Sequence, residues 1–146
     1  MTEEMKHEVY LGLGSNLGDR ASNINAAIRL IGERVGEVVR RSSLIETEPW
    51  GFESAHSFLN GVILCETVKT PREVLHVTQQ IERDLGRQTK TVRQYADRPI
   101  DIDILLYDDL RIDEPDLKIP HPLMQERDFV MLPLREVNSE ITDETV

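Results

Sequence analysis

Cysteine is almost missing from this sequence of 146 residues: Cys65 stands alone, which excludes an internal disulfide. It lies in the apolar run VILC and reads as a small buried hydrophobe. Basic residues are few, 17 Lys and Arg against 27 Asp and Glu for a net charge of −10. That balance argues against a nucleic-acid partner, because phosphate-backbone binding rests on clustered cations. It does not exclude a small anionic substrate, since a local group of arginines can oppose the average. No apolar run approaches the roughly 20 residues of a membrane span. The opening MTEEMKHE lacks the apolar stretch of a signal peptide, so a cytoplasmic location is expected, with no membrane contact. Repeats, low-complexity tracts and linkers are also lacking. Aromatic residues make up 5% of the chain.

What is present suffices for one core. Hydrophobic residues are 39% and charged residues 30%, and the length is that of one domain, taken as 1–146. Residues 8–14, EVYLGLG, read as a strand. Asp19 can cap a helix whose apolar positions are Ile24, Ala27, Ile28, Ile31 and Val35. Residues 38–47 and 57–67 read as strands. Thr70, Pro71 and Glu73 form a capping box that opens a second helix, with Leu75, Thr78, Ile81 and Leu85 as its apolar face and Gly86 as its stop. The polar stretch RQTKTVRQYADRP reads as a loop, followed by the strand IDIDILLYD and a short helical end at Met131–Val137. The order β-α-β-β-α-β predicts an α+β sandwich of ferredoxin-like type, with helices packed on a mostly antiparallel sheet.

The most informative segment is Asp101-Ile102-Asp103-Ile104-Leu105-Leu106. Strand side chains alternate, so Asp101 and Asp103 share one face, roughly 6–7 Å apart at Cα, while Ile102, Ile104 and Leu106 point to the core. At that spacing two carboxylates repel by about 2–3 kcal/mol with an effective dielectric near 20. Aspartate is also a poor strand former. A solvated edge and a metal site explain the D-x-D pattern equally well on its own. Arg98, just upstream, favours a site that holds both a divalent cation and a polyphosphate. Mg²⁺ suits carboxylate and phosphate oxygens.

Residues 12–18, GLGSNLG, fail as a dinucleotide fingerprint, since Leu17 stands where the third glycine belongs, and no Lys-Ser/Thr pair makes a phosphate loop. They read as a strand-to-helix turn needing unusual backbone angles.

Taken together, LGLGSNLGDR, TEPWG at 47–51, FLN at 58–60, DRPIDIDIL at 97–105, and PHP with ERDF at 120–129 resemble the 6-hydroxymethyldihydropterin pyrophosphokinase family across about residues 8–137. The resemblance implies a folate-pathway transferase in which the pterin's hydroxymethyl oxygen attacks the β-phosphorus of ATP and AMP leaves. It implies two Mg²⁺ ions on Asp101 and Asp103, and catalytic phosphate-binding cations at Arg87 and Arg98, joined by His121 and Arg127 on ATP. Leu75 and Ile104 would line the adenine site, with Gln79 and Lys118 as further nucleotide contacts. The pterin would stack between Phe58 and Phe129 and be read by Asn60, with Thr47, Pro49, Trp50, Glu82 and Asp101 beside it. Read without the resemblance, Gln79 and Glu82 are a solvated helix face, His121 a surface or structural histidine, and the phenylalanines core packing. No protein partner is required. Where the family commonly has glycine-proline before the arginine, this chain has Ala96-Asp97, and its basic loop carries Lys90, Arg93 and Tyr95. The loop's composition suggests closure over ATP. Two rival readings are another Mg-dependent nucleotide transferase and a non-catalytic ferredoxin-like binding module.

Overall fold

A computed structural model of the chain describes residues 5–47, 57–86 and 99–141. Apolar runs buried on both faces make two long strands, β1 (His7–Ser15) and β4 (Phe58–Thr67), which pair antiparallel along their length from His7↔Thr67 to Ser15↔Leu59. The other strands of the sheet are β2 (Glu37–Arg41), β3 (Ile45–Thr47) and β5 (Asp101–Tyr107), in the order β2-β4-β1-β5 with β3 also on β4. The stretch read as one strand over 38–47 is thus two, divided at Ser42, whose hydroxyl accepts from the Val62 amide. A separate hairpin, β6 (Ile112–Glu114) with β7 (Leu117–Ile119), was not foreseen from the sequence.

Three helices cover the sheet: α1 (Arg20–Arg34), α2 (Pro71–Asp84) and α3 (Asp128–Val137). Asp19 caps α1 by accepting from the Ser22 amide at 3.1 Å. Gly18, at φ +68°, makes the preceding turn. Thr70 and Glu73 cap α2 reciprocally, as expected, and Gly86 ends it at φ +100°. The buried face of α2 is Val74, Thr78, Ile81 and Glu82; Leu75 and Leu85 only flank it. The strong apolar residue is therefore Val74, one position before the expected Leu75.

The sheet is buried on both sides. On one face α1 and α2 pack through Ile24, Ile31, Val74 and Ile81 against Val9, Leu11, Ile63, Ile102 and Ile104. On the other, α3 packs through Val130, Met131, Leu134 and Val137 against Tyr10, Val62, Leu64, Leu105 and Leu106. The core βαββαβ order with interleaved strands is the expected sandwich, and α3 adds a third layer. Cys65 is fully buried, and burial pushes its thiol up to about 12, in keeping with its reading as a small hydrophobe.

Leu106 departs from simple alternation. The β1–β5 register shifts between Tyr10↔Leu106 and Leu11↔Ile104, leaving Leu105 as an extra residue. This bulge carries Leu106 to the α3 side instead of the face shared by Ile102 and Ile104.

Candidate active site

Two glycines of β1 lie directly opposite the two aspartates of β5: Gly12 pairs with Asp103 and Gly14 with Asp101. Neither carboxylate therefore faces a cross-strand side chain. Gly14 also pairs with Asn60 on its other side. Asn60, Gly14 and Asp101 consequently form a row across three strands, with Asn60 and Asp101 roughly 10 Å apart at Cα from strand spacing alone. The glycine in the middle leaves a slot. A Cβ there would stand 3.0 Å from Asn60 Oδ1 and 3.4 Å from the Phe58 ring.

The glycines thus belong to a strand rather than a turn, and their use is space, not backbone angle. Only Gly18 of that segment has a positive φ. The D-x-D and G-x-G patterns share a period of two, and that common period was the available signal.

One cavity gathers these groups. Gly12 and Gly14 form its floor, Thr47, Phe58 and Asn60 one wall, Asp101 and Asp103 the other, and Arg127 and Phe129 enter from the α3 layer. Asn60, 6% exposed, donates through Nδ2 to Thr47 Oγ1 at 2.6 Å. That bond fixes the amide's orientation. Phe58 is buried and Phe129 half-buried. The Arg127 guanidinium, almost fully buried, lies 5.7 Å from the Phe129 ring centroid, within cation–π range. The cavity is thus apolar and aromatic at one end and acidic at the other, with a cation beside it. Leu13, Gly61, Val62, Leu105 and Val130 complete the lining and were not anticipated.

Asp101 and Asp103 are both half-buried on the cavity side. Among the described residues no three acidic, histidine or cysteine side chains form a ready metal cage. Two carboxylates alone are the donor set Mg²⁺ uses when phosphate oxygens and waters complete its shell, so the residues fit that ion.

Glu82 corrects an expectation. It is not on a solvated helix face but 3% exposed, and its carboxylate accepts from the Ile102 amide at 2.8 Å. Ile102 sits between the two aspartates, so α2 braces the outer edge of β5 at the acidic end. Glu82 is not among the residues lining the cavity.

The other described nucleotide-side candidates do not line this cavity. Leu75 and Ile104 join the same core cluster beneath α2, and Gln79 is half-buried one turn beyond Leu75. Lys118 is on β7, paired with Asp113 at 2.5 Å. It lines a second, shallow cavity with Arg111, Pro120 and Pro122. His121 follows the cis Ile119–Pro120 bond, and its amide donates to the Leu105 carbonyl at 3.0 Å. The hairpin is tied to the start of α2 by Arg72, which bonds Asp116 at 2.7 and 2.8 Å and also Glu114. Pro49, Trp50, Arg87, Lys90, Arg93, Tyr95 and Arg98 fall outside the described residues.

Comparison with known proteins identifies the family. A model of the 7,8-dihydro-6-hydroxymethylpterin-pyrophosphokinase family matches residues 10–139. A 2-amino-4-hydroxy-6-hydroxymethyldihydropteridine pyrophosphokinase of Porphyromonas gingivalis is 52% identical over 131 residues, covering 88% of this chain and 89% of the relative. The Bacillus subtilis protein of the same name is 40% identical, covering 96% of this chain and 83% of its own. Among solved structures, a Plasmodium falciparum HPPK-DHPS chain superposes with a TM-score of 0.78 at 17% identity, covering 99% of this chain and 44% of that one. This last likeness concerns the fold alone, and the present chain spans less than half of that longer protein. The chain belongs to the 7,8-dihydro-6-hydroxymethylpterin-pyrophosphokinase family, transferases that place pyrophosphate on hydroxymethyldihydropterin in folate biosynthesis.

Proposed function

We propose that the chain uses ATP as donor and two Mg²⁺ ions on Asp101 and Asp103, with the pterin ring in the slot between Asn60 and Asp101. The observation that carries this reading is the row Asn60–Gly14–Asp101, which puts an amide edge and an acidic end on opposite walls of one cavity. A flat heteroaromatic ring needs apolar faces and a hydrogen-bonding edge. Phe58 and Phe129 supply the faces, and Asn60, oriented by Thr47, supplies the edge. Pro49 and Trp50 belong to the same reading. Glu82 serves the ring and the ions indirectly, by holding the backbone between the two aspartates.

The hydroxymethyl oxygen then lies at the acidic end. It forms a bond to the β-phosphorus of ATP while the bond from that phosphorus to the α–β bridging oxygen breaks. AMP departs with that oxygen, and the hydroxyl proton is released to solvent. Divalent ions supply charge neutralisation for the phosphate oxygens when bound. Arg127 adds a cation from the α3 side, with Arg87, Arg98 and His121 as further phosphate partners. Leu75, Gln79, Ile104 and Lys118 mark the nucleoside side, along α2, β5 and the hairpin. Transfer of this type depends on alignment and charge stabilisation, so no side chain is assigned as general base. One domain and a cytoplasmic location are part of the same reading. Incubation with ATP, Mg²⁺ and the pterin alcohol should yield AMP and the pterin diphosphate in equal amounts. Release of ADP, or AMP formation without the pterin, would overturn it.

A further inference from the structure

Arg20 is the first residue of α1 and does not line the cavity. Its Nη1 lies 3.0 Å from Glu46 Oε1, 3.0 Å from the Ser57 carbonyl oxygen and 3.2 Å from Ser57 Oγ. Ser57 Oγ in turn donates to Glu46 Oε1 at 2.6 Å. These bonds hold Glu46 below the usual carboxylate range. One guanidinium thus joins two points of the chain that flank 48–56.

The neighbours of those points matter. Glu46 immediately precedes Thr47, and Ser57 immediately precedes Phe58. Thr47 and Phe58 are cross-strand partners and both line the cavity. Side chains alternate along a strand, so Glu46 faces away from the cavity while Thr47 faces into it. β3 has three residues and, among the described strands, pairs with β4 alone. A strand that short with one neighbour is weakly held. Thr47, however, must stay in place, because it orients the Asn60 amide. The segment before Arg20 is itself well anchored. Asp19 caps the helix, and Asn23 Nδ2 donates to the Leu17 carbonyl at 2.9 Å.

We propose that Arg20 is a positioning residue for the ring-binding end of the cavity, clamping Glu46 and Ser57 so that Thr47, Phe58 and Asn60 are held ready for the pterin. The proposal rests on the ring-site reading above. It gives the GDR end of the glycine-rich segment a purpose: the tight turn and cap fix where the arginine starts.

The test compares the full-length wild type with Arg20→Ala, Arg20→Lys and Asn60→Ala. Hydrogen exchange is followed at 45–47 and 57–60, and affinities are measured separately for the pterin alcohol and for a non-hydrolysable ATP analogue with Mg²⁺. Arg20→Ala should speed exchange in those two segments and leave β1 protected. It should weaken pterin binding by about five- to tenfold and nucleotide binding by less than about twofold, a loss of order one hydrogen-bond network. Arg20→Lys should recover much of the pterin affinity, because its ammonium can donate to the same oxygens. Unchanged exchange, or equal losses for both ligands, would overturn the proposal. Asn60→Ala separates the two ideas. If it binds pterin as the wild type does, the ring site itself is wrong. If it fails to bind while Arg20→Ala binds normally, only the role of Arg20 is wrong.

Discussion

On the proposed reading, the two ends of this site are built on different physical terms. The proposed ring end is made of short, buried groups: the strand glycine Gly14, an asparagine 6% exposed and held by a threonine, and a buried phenylalanine. The hairpin on the proposed nucleotide side carries long side chains near the surface, with Lys118 paired to Asp113 and Arg72 tying the hairpin to α2. A buried, hydrogen-bonded group has its conformational entropy removed before the ligand arrives, so it can discriminate one ring from another. An exposed cation keeps its freedom and its hydration, and contributes mainly charge and arrival rate. The ring end should therefore be sensitive to atoms and the phosphate end to charge.

Removing the acids that join the two ends should have the largest effect. Asp101→Ala or Asp103→Ala is expected to lower turnover by about a thousandfold or more, while the thermal midpoint stays near that of the wild type. Release of AMP by either variant at the normal rate would break the metal assignment. The next effect is steric. Gly14→Val would fill the slot beside Asn60 Oδ1, where a Cβ alone already stands at 3.0 Å. It should reduce pterin affinity by about a hundredfold or more and nucleotide affinity little; calorimetry with each ligand separates the two.

Phe129→Ala removes one face of the ring site. Its expected cost is about tenfold in pterin affinity, the scale of one aromatic contact, again with nucleotide affinity nearly unchanged. Equal losses for the two ligands would show that Phe129 supports α3 rather than the ring. The smallest effect in binding, but not in stability, belongs to Glu82. Glu82→Ala leaves the Ile102 amide without its buried acceptor and should lower stability by about 1–3 kcal/mol. Glu82→Gln, which keeps an oxygen there, should lose less than half of that by denaturant melts. If the two variants melt alike, the carboxylate does not act through Ile102.

Local chemistry made much of the fold legible. The Asp19 cap, the Thr70–Glu73 capping box, the apolar run of β1 and the D-x-D strand are read from neighbours in sequence, because capping and pleat are short-range effects. The β6–β7 hairpin was missed, since Ile112–Glu114 and Leu117–Ile119 are too short and too polar to stand out. Leu75 was expected on the buried face of α2, but helical spacing alone also admits the neighbouring face of Val74. Contact with the sheet decided between them.

The chemistry of the acidic strand, the two helix starts and the family resemblance were in the order of residues alone. Which residues share a cavity was not. Gly14 has Asn60 on one side and Asp101 on the other only through pairing with strands far away in the chain. The bulge at Leu105, the burial of Glu82 against Ile102 and the grip of Arg20 on Glu46 and Ser57 have the same origin. Strand register and layer packing are long-range choices, set by which faces the whole chain can bury together, and no local pattern carries them.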